Sequence, residues 1–414
     1  FSLCLYDTPR NFESALKVMS EKRSIIFYAL LLGFLTMVGP IAIDSFLPMV
    51  PAIAKGLGVG IGSIEFSLTA IFAGNALGQI IYGPLADRYG RKPIILLALF
   101  IYFAATIGAG LASDVGSLVF WRFVQGLVTA SGRILANSVA RDLFEREKLA
   151  KLITAFMLIG ALSTLGSAPL GGYLSEHFPW QTIFWFMALY SGAAFLVFLV
   201  FFKETIQEKD LRALRPTILI ANFIEIFTNR VFILNVICGG FVLSGLVAYL
   251  NSSSGVLIGT FGIKPAIYGF LFSSVMIGYM VATAIGGKLI DHLGMKALIH
   301  IGSFTIAVAG LLMLGLALAE INHATAIIGP MVMFMVGFAF LLPQTTAASL
   351  MPFPRIAGAA SSLQGFIQNS MAAIVSALLA IFSDGTAVPM SAAIATCGLL
   401  AAATYMLFIR KLAG

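Results

Sequence analysis

Charge is scarce in this chain. Asp, Glu, Lys and Arg make up 10% of its 414 residues, against about 25% in an ordinary soluble domain. Hydrophobic residues make up 59%, and mean hydropathy is +0.99. No soluble fold hides that much apolar surface, so lipid must solvate most of it. Cysteine is scarce too. Cys4, Cys238 and Cys397 are far apart and in no metal or redox spacing. The last two read as small apolar packing residues. The histidines at 177, 292, 300 and 323 are scattered and form no metal cluster with Cys or carboxylates. No G-x-x-x-x-G-K-[ST] loop occurs, which excludes a P-loop ATPase. No Ser–His–Asp arrangement can be argued. No enzyme, catalytic residue, metal or cofactor is therefore expected.

What is present is a series of apolar runs, at 24–51, 64–86, 93–112, 116–138, 150–174 and 181–202, then 231–254, 266–290, 296–318, 325–349, 356–382 and 387–409. A membrane-crossing helix needs about 20 apolar residues. The chain is thus expected to be an all-α integral membrane protein with twelve transmembrane helices. Residues 24–202 and 231–410 form two six-helix halves, joined by a polar linker at 203–230. The second part of that linker, 217–229, reads as a helix lying in the membrane surface. Met19-Ser20-Glu21-Lys22-Arg23 reads as a start just ahead of the first run. Residues 1–18 are expected to be an upstream or added extension, and 1–23 to lack fixed order.

The formal net charge is +7, and its placement explains it. Lys and Arg in the N-terminal segment, in the loops after the even-numbered runs and at the C-terminus number twenty-one; the opposite loops hold only Lys55 and Lys264. Basic residues stay on the cytoplasmic side. Both termini are therefore expected in the cytoplasm, and no nucleic-acid partner is needed.

The chain also repeats itself. Gly83-Pro84-Leu85-Ala86-Asp87-Arg88-Tyr89-Gly90-Arg91-Lys92 follows the second run, and Gly287-Lys288-Leu289-Ile290-Asp291-His292-Leu293-Gly294-Met295-Lys296 follows the eighth. Both read G-x-L-x-D-x-x-G-x-K. Tandem halves related by an axis along the membrane normal are a known transporter plan.

The Gly83–Lys92 loop closely resembles motif A of the major facilitator superfamily. Trp121-Arg122-Phe123-Val124-Gln125-Gly126 is similar to its motif B, and Ala168-Pro169-Leu170-Gly171-Gly172 to its antiporter motif C. Ala168 stands where drug antiporters usually carry Gly. A narrower likeness rests on Ile43-Asp44-Ser45-Phe46-Leu47-Pro48-Met49-Val50-Pro51, Ala140-Arg141-Asp142-Leu143 and the segment Pro352–Phe366. Together these resemble the Bcr/CflA group of bacterial drug-resistance exporters. The resemblance implies the major facilitator fold in a bacterial inner membrane. It also implies export of drugs and small metabolites coupled to proton uptake.

Asp44 is the sharpest single residue. An acid inside the membrane is costly unless paired, hydrated or protonated. Burial favours its neutral form and a nearby cation its ionised form, so a carboxyl between the two can load and release a proton. A helix-end residue already in periplasmic water is the plainer reading. Arg122 is its expected partner. At about 1.5 Å per residue the two lie at nearly equal depth, and the resemblance sets their helices side by side. A structural pair or a clamp on a backbone carbonyl is the alternative. Gly126, Thr129 and Arg133 lie within about 40° of Arg122 around a helix, with Gln125 beside them. That stripe suggests a hydrated cavity. Arg133 could instead pair with Asp87.

By resemblance, Gly83, Asp87, Arg88, Gly90 and Arg91 form a conformational gate, with Asp87 facing the start of the eleventh helix. Asp291 is the counterpart in the second half. Pro169, Gly171 and Gly172 read as a close-packing, bendable segment. The second half offers hydrogen-bonding candidates for a substrate cavity in Tyr249, Asn251, Gln344 and Gln364. The expectation is efflux of small amphiphilic molecules by a monomer in lipid, with the proton gradient as energy source. One intramembrane acid implies about one proton per cycle. Export of an endogenous metabolite or siderophore, uptake by symport, and a non-transporting membrane sensor remain alternatives.

Overall fold

A computed structural model describes residues 25–206 and 208–410. The expected N-terminal extension lies outside the described residues. Among those residues the chain is helical throughout, without strands. We number the helices α1 (Ile25–Leu57), α2 (Ile61–Tyr89), α3 (Arg91–Gly110), α4 (Val115–Leu143), α5 (Arg146–His177) and α6 (Thr182–Phe201), then α7 (Pro216–Phe227), α8 (Arg230–Thr260), α9 (Pro265–Leu318), α10 (Ala324–Leu350), α11 (Ala357–Phe382) and α12 (Val388–Ile409).

Ten of these helices are long and apolar enough to cross a membrane. The exceptions are α7, which has 12 residues, and α4. Two of the apolar runs, 266–290 and 296–318, share the single 54-residue helix α9. It is interrupted at Gly294, whose φ of 76° is not helical. The equivalent glycine of the sequence repeat, Gly90, has φ 107° and separates α2 from α3. Positive φ costs glycine little and other residues more, which accounts for the G at that place in both copies.

Local chemistry sets the helix ends. Asp114 caps α4 by accepting the Ser117 N–H at 2.9 Å, and Asn229 caps α8 by accepting from Phe232 at 3.1 Å. Pro216 and Pro265 open α7 and α9, where a missing N–H costs nothing. Helix α1 is irregular. It passes through a 3₁₀ turn at Leu47–Met49, and Pro48 cannot donate to the Asp44 carbonyl.

The packing repeats as the sequence does. Before the linker, α1 packs on α5, α2 on α4, and α3 on α6. After it, α8 packs on α11, and α9 on both α10 and α12. The two groups touch chiefly through α2 with α11 and α5 with α9. Helix α7 lies against α11, where Ile226, Phe232, Phe353 and Leu363 form a small separate apolar cluster.

One end of the bundle gathers the linker and the loops after α2 and α4. Glu204 accepts the backbone N–H groups of Arg91 and Lys92 at 3.0 and 3.1 Å. Thr205 donates to Asp142 at 3.1 Å, and the Asp210 N–H to the Asp87 carbonyl at 3.1 Å. We call this the linker side. On the opposite side Glu176 of α5 accepts the Ala266 N–H of α9 at 2.9 Å.

Candidate functional site

Asp44 ends the Val38–Asp44 segment of α1 and is 7% exposed. The Thr164 hydroxyl of α5 faces its carboxyl, and the Tyr268 phenol of α9 lies nearby. Tyr268 in turn shares a 2.8 Å hydrogen bond with Ser253 of α8. The acid thus sits where α1 and α5 meet α8 and α9, buried rather than in water.

Arg122 is fully buried in α4, but it does not pair with Asp44. Its Nη1 donates to the Ala42 carbonyl at 2.9 Å and to Gln125 Oε1 at 3.0 Å. The guanidinium carbon stands 4.0 Å from the centre of the Phe46 ring. Its Nε and Nη2 are buried without partners. The expected ion pair is corrected to a carbonyl clamp with a cation–π contact. The proline-broken turn of α1 presents the Ala42 carbonyl and the Phe46 ring to Arg122, so both take up the charge that Asp44 was expected to balance. Gln125 is held from the other side as well, donating to Thr106 at 2.7 Å.

The α4 stripe is only partly a cavity wall. At Gly126 a Cβ would collide with the Ile71 carbonyl of α2, and one at Gly74 with the Phe123 carbonyl of α4. The two backbones are too close for water to lie between them. Thr129 accepts a 3.0 Å hydrogen bond from Asn75 of α2. Only Arg133, farther toward the linker, reaches open space. Tyr279 of α9 lies beside it, and no ion pair joins it to Asp87.

That open space is a cavity of about 610 Å³ on the linker side. Gly83, Asp87, Arg91 and Arg133 line it from α2–α4, and Ala357, Ser361 and Ser362 from the start of α11. Asp87 and the start of α11 line the same cavity, and a Cβ at Gly83 would lie 3.8 Å from the Ser362 hydroxyl. The partner of Asp87 is Arg91 at 2.6 Å, which also binds Asp142 at 2.9 Å. Arg88 stacks its guanidinium 5.5 Å from the Tyr89 ring centre. Asp291 is exposed and has no corresponding bridge, because Met295 replaces the arginine.

The other candidates lie deeper and away from this cavity. Tyr249 is fully buried, stacked at 6.3 Å on Phe272, with its hydroxyl unpartnered. Asn251 donates to the Ser376 carbonyl at 3.2 Å. Gln364 donates to Thr346 at 2.9 Å and accepts from Ser349 at 3.2 Å. Gln344 is half-buried. Toward the opposite side, α5 is clamped. A Cβ at Gly171 would strike the Ser45 carbonyl and one at Gly172 the Pro265 carbonyl, while Pro169 lies against Gly269.

Sequence reasoning passed over Glu65. It lies on α2 near the opposite side and is 1% exposed. It belongs to no motif and sits at the edge of an apolar run. The signal available was an acid at the edge of a membrane-crossing run.

This fold and the match of residues 31–377 to the family model decide the family. The chain belongs to the Major Facilitator Superfamily. It is 29% identical over 389 residues to a bicyclomycin resistance protein homolog of Haemophilus influenzae, covering 94% of this chain and 97% of the relative. It is 28% identical over 356 residues to multidrug resistance protein D of Escherichia coli, covering 85% and 88%. Among solved structures, a D-xylose–proton symporter superposes with a TM-score of 0.73 at 14% identity, covering 92% and 97%. A bacterial homolog of the lysosomal transporter Spinster gives 0.72 at 16%, covering 93% and 97%. The names of these sequence relatives agree with the drug-resistance resemblance read from the motifs, and the structural likenesses show the fold.

Proposed function

We propose that this major facilitator protein exports small amphiphilic organic molecules across a bacterial inner membrane in exchange for protons. The observation that carries the reading is the Asp44 carboxyl. It is buried between the two groups of helices, faced by neutral hydroxyls and given no cation. A carboxyl in that setting is most cheaply held with its proton on.

The linker side is read as cytoplasmic from the distribution of Lys and Arg. The twelve crossings follow from dividing α9 at Gly294 and counting α4, whose Arg122 and Arg133 lower its apolar content. The helices then fall into two six-helix halves on either side of the linker. The 610 Å³ cavity on the linker side and the closure of α5 on α9 at the opposite side support an inward-facing reading. The cavity mixes Arg91, Arg133 and Arg141 with Ile134, Ile153 and Phe223, which suits amphiphilic solutes.

In the cycle that follows, Asp44 takes a proton from the periplasm when the outer side is open. The neutral acid is then buried as the outer side closes. Loss of the proton to the cytoplasm restores substrate binding. Rocking of the halves returns the loaded site outward, where a new proton favours release. Gly171 lets α5 pack closely on α1, and Gly172 lets it meet α9 as the outer side closes. The names of the relatives favour drugs; an endogenous metabolite would use the same site. Substrate-induced proton release from inverted vesicles, with and without Asp44→Asn, tests the reading.

A further inference from the structure

Glu65 is the second acid buried among the helices, and the cycle above gives it no part. It sits one turn into α2, with Oε2 buried and without a hydrogen-bond partner. Ser252 of α8 lies beside it, its own hydroxyl also buried and unpartnered. Ser383, just past α11, completes the surround. A Cβ at Gly255 would come within 3.5 Å of Glu65 Oε1, so α8 is drawn close. A cavity of about 400 Å³ leads to the carboxyl from the side opposite the linker, walled by Ile61, Val256, Thr260 and Met390. One turn deeper the same seam is knitted by neutral bonds. Thr69 of α2 shares a 2.7 Å hydrogen bond with Ser376 of α11.

The charged and titratable groups near this seam leave Glu65 alone. Helix α2 offers no other ionisable side chain in the turns around it, and α12 begins with Val388, Pro389 and Met390. On α8 the nearest is Tyr249, whose ring stacks on Phe272. Beyond α11, Asp384 is exposed and bonded to Thr386 at 2.8 Å. Lys264, at the start of α9, and Lys55, near the end of α1 on the segment packed against α2, are both exposed. No ion pair reaches Glu65 among the described residues. An ionised carboxylate here would have no cation and would leave Oε2 without a donor, which its surroundings oppose.

We propose that Glu65 is a proton-binding site that latches the outer end of the transporter. This rests on the reading of the side opposite the linker as periplasmic. With its proton bound, Glu65 is neutral and α2 closes on α8 and α11. Ionised, it draws water up the 400 Å³ cavity, and α2 parts from α11. The proton comes from the periplasm and returns to it. Glu65 is thus separate from Asp44 and adds no proton to the transported count.

The test uses the full chain in lipid nanodiscs, spin-labelled at Gly60→Cys and Phe382→Cys, both exposed at the outer end. The distance between labels is read across pH. The parent protein is expected to lengthen as pH rises, and Glu65→Gln, a neutral mimic, to stay closed throughout. Infrared difference spectra should lose one protonated-carboxyl absorption in Glu65→Gln and keep that of Asp44, which also reports an intact fold. Should Glu65→Gln fail to fold, Glu65→Asp replaces it and is expected to shift the midpoint of opening. A full pH response in Glu65→Gln, an outer end open at every pH, or an unmoved midpoint in Glu65→Asp would each overturn the latch. In Asp44→Asn the outer end still opens as pH rises, because Glu65 still titrates, and adding Glu65→Gln abolishes that opening. Failure of proton coupling at Asp44 would show instead as unchanged proton release in the Asp44→Asn single variant.

Discussion

Arg122 donates to the carbonyl of Ala42 at 2.9 Å, two residues before Asp44, and so fixes the helix that carries the acid without neutralising it. The cation spends its charge on a carbonyl, on Gln125 and on the face of Phe46. In the proposed cycle, positioning and proton binding are thereby divided between two residues.

Removing Arg122 should therefore act on stability first. Arg122→Met strands the Ala42 carbonyl and Gln125 Oε1 inside the protein, at about 1–3 kcal/mol for each unsatisfied group. A lower melting temperature in detergent is expected. Gln125→Leu in that background should cost less than it does alone, because the two share one network. Additive losses would show that the network is not a unit.

Adjacent glycines on α5 should behave differently. Gly171 meets Ser45 within one group of helices, whereas Gly172 meets Pro265 across the two. A methyl at either site overpacks the closed arrangement by about 1–3 kcal/mol. Gly171→Ala should lower overall stability. Gly172→Ala should penalise only the arrangement in which α5 closes on α9, and so shift the protein toward the outward-open state. Label distances across the α5–α9 outer ends measure the shift; equal effects of the two variants would contradict it.

The two copies of the repeated loop should also differ. Arg91 joins Asp87 to Asp142, and the linker is tied down at the same place. Arg91→Ala is expected to free the segment 203–215 to protease. Asp291 is exposed and has no arginine partner, so Asp291→Asn should change stability by no more than about 0.5 kcal/mol. Limited proteolysis and thermal unfolding of the pair check this.

That contrast shows what the sequence could and could not tell. The helical runs and the linker helix were legible, because each depends on local composition. The carbonyl clamp on Arg122 was open as one of two readings. The choice depended on how the turn at Leu47–Pro48 aims Ala42 and Phe46, which spacing does not encode. Helical periodicity put Gly126 and Thr129 on one face with Arg122. It could not say whether that face meets water or the backbone of α2. Glu65 was missed because its meaning comes from Ser252 and Ser383, some two hundred residues away or more in the chain.

Helix capping at the surface gives a pH signature. Hydrogen bonds from the backbone and side chain of Ser117 hold the Asp114 carboxyl below its ordinary value of 3.8. Its contribution to stability is fully present above that value and is lost as pH falls through the lower folded-state value. Asp384, held down in the same way by Thr386, adds in the same direction. Acid unfolding followed by circular dichroism should flatten in Asp114→Asn, and an unchanged acid limb would contradict the assignment.

The most direct test of the whole account is proton movement on substrate addition, in inverted vesicles holding the wild type or Asp44→Asn, across a panel of antibiotics and dyes. The account predicts substrate-induced proton release by the wild type and its loss in Asp44→Asn, with the variant still folded. Equal proton release by both proteins would remove Asp44 from the coupling step and contradict the mechanism drawn from its burial.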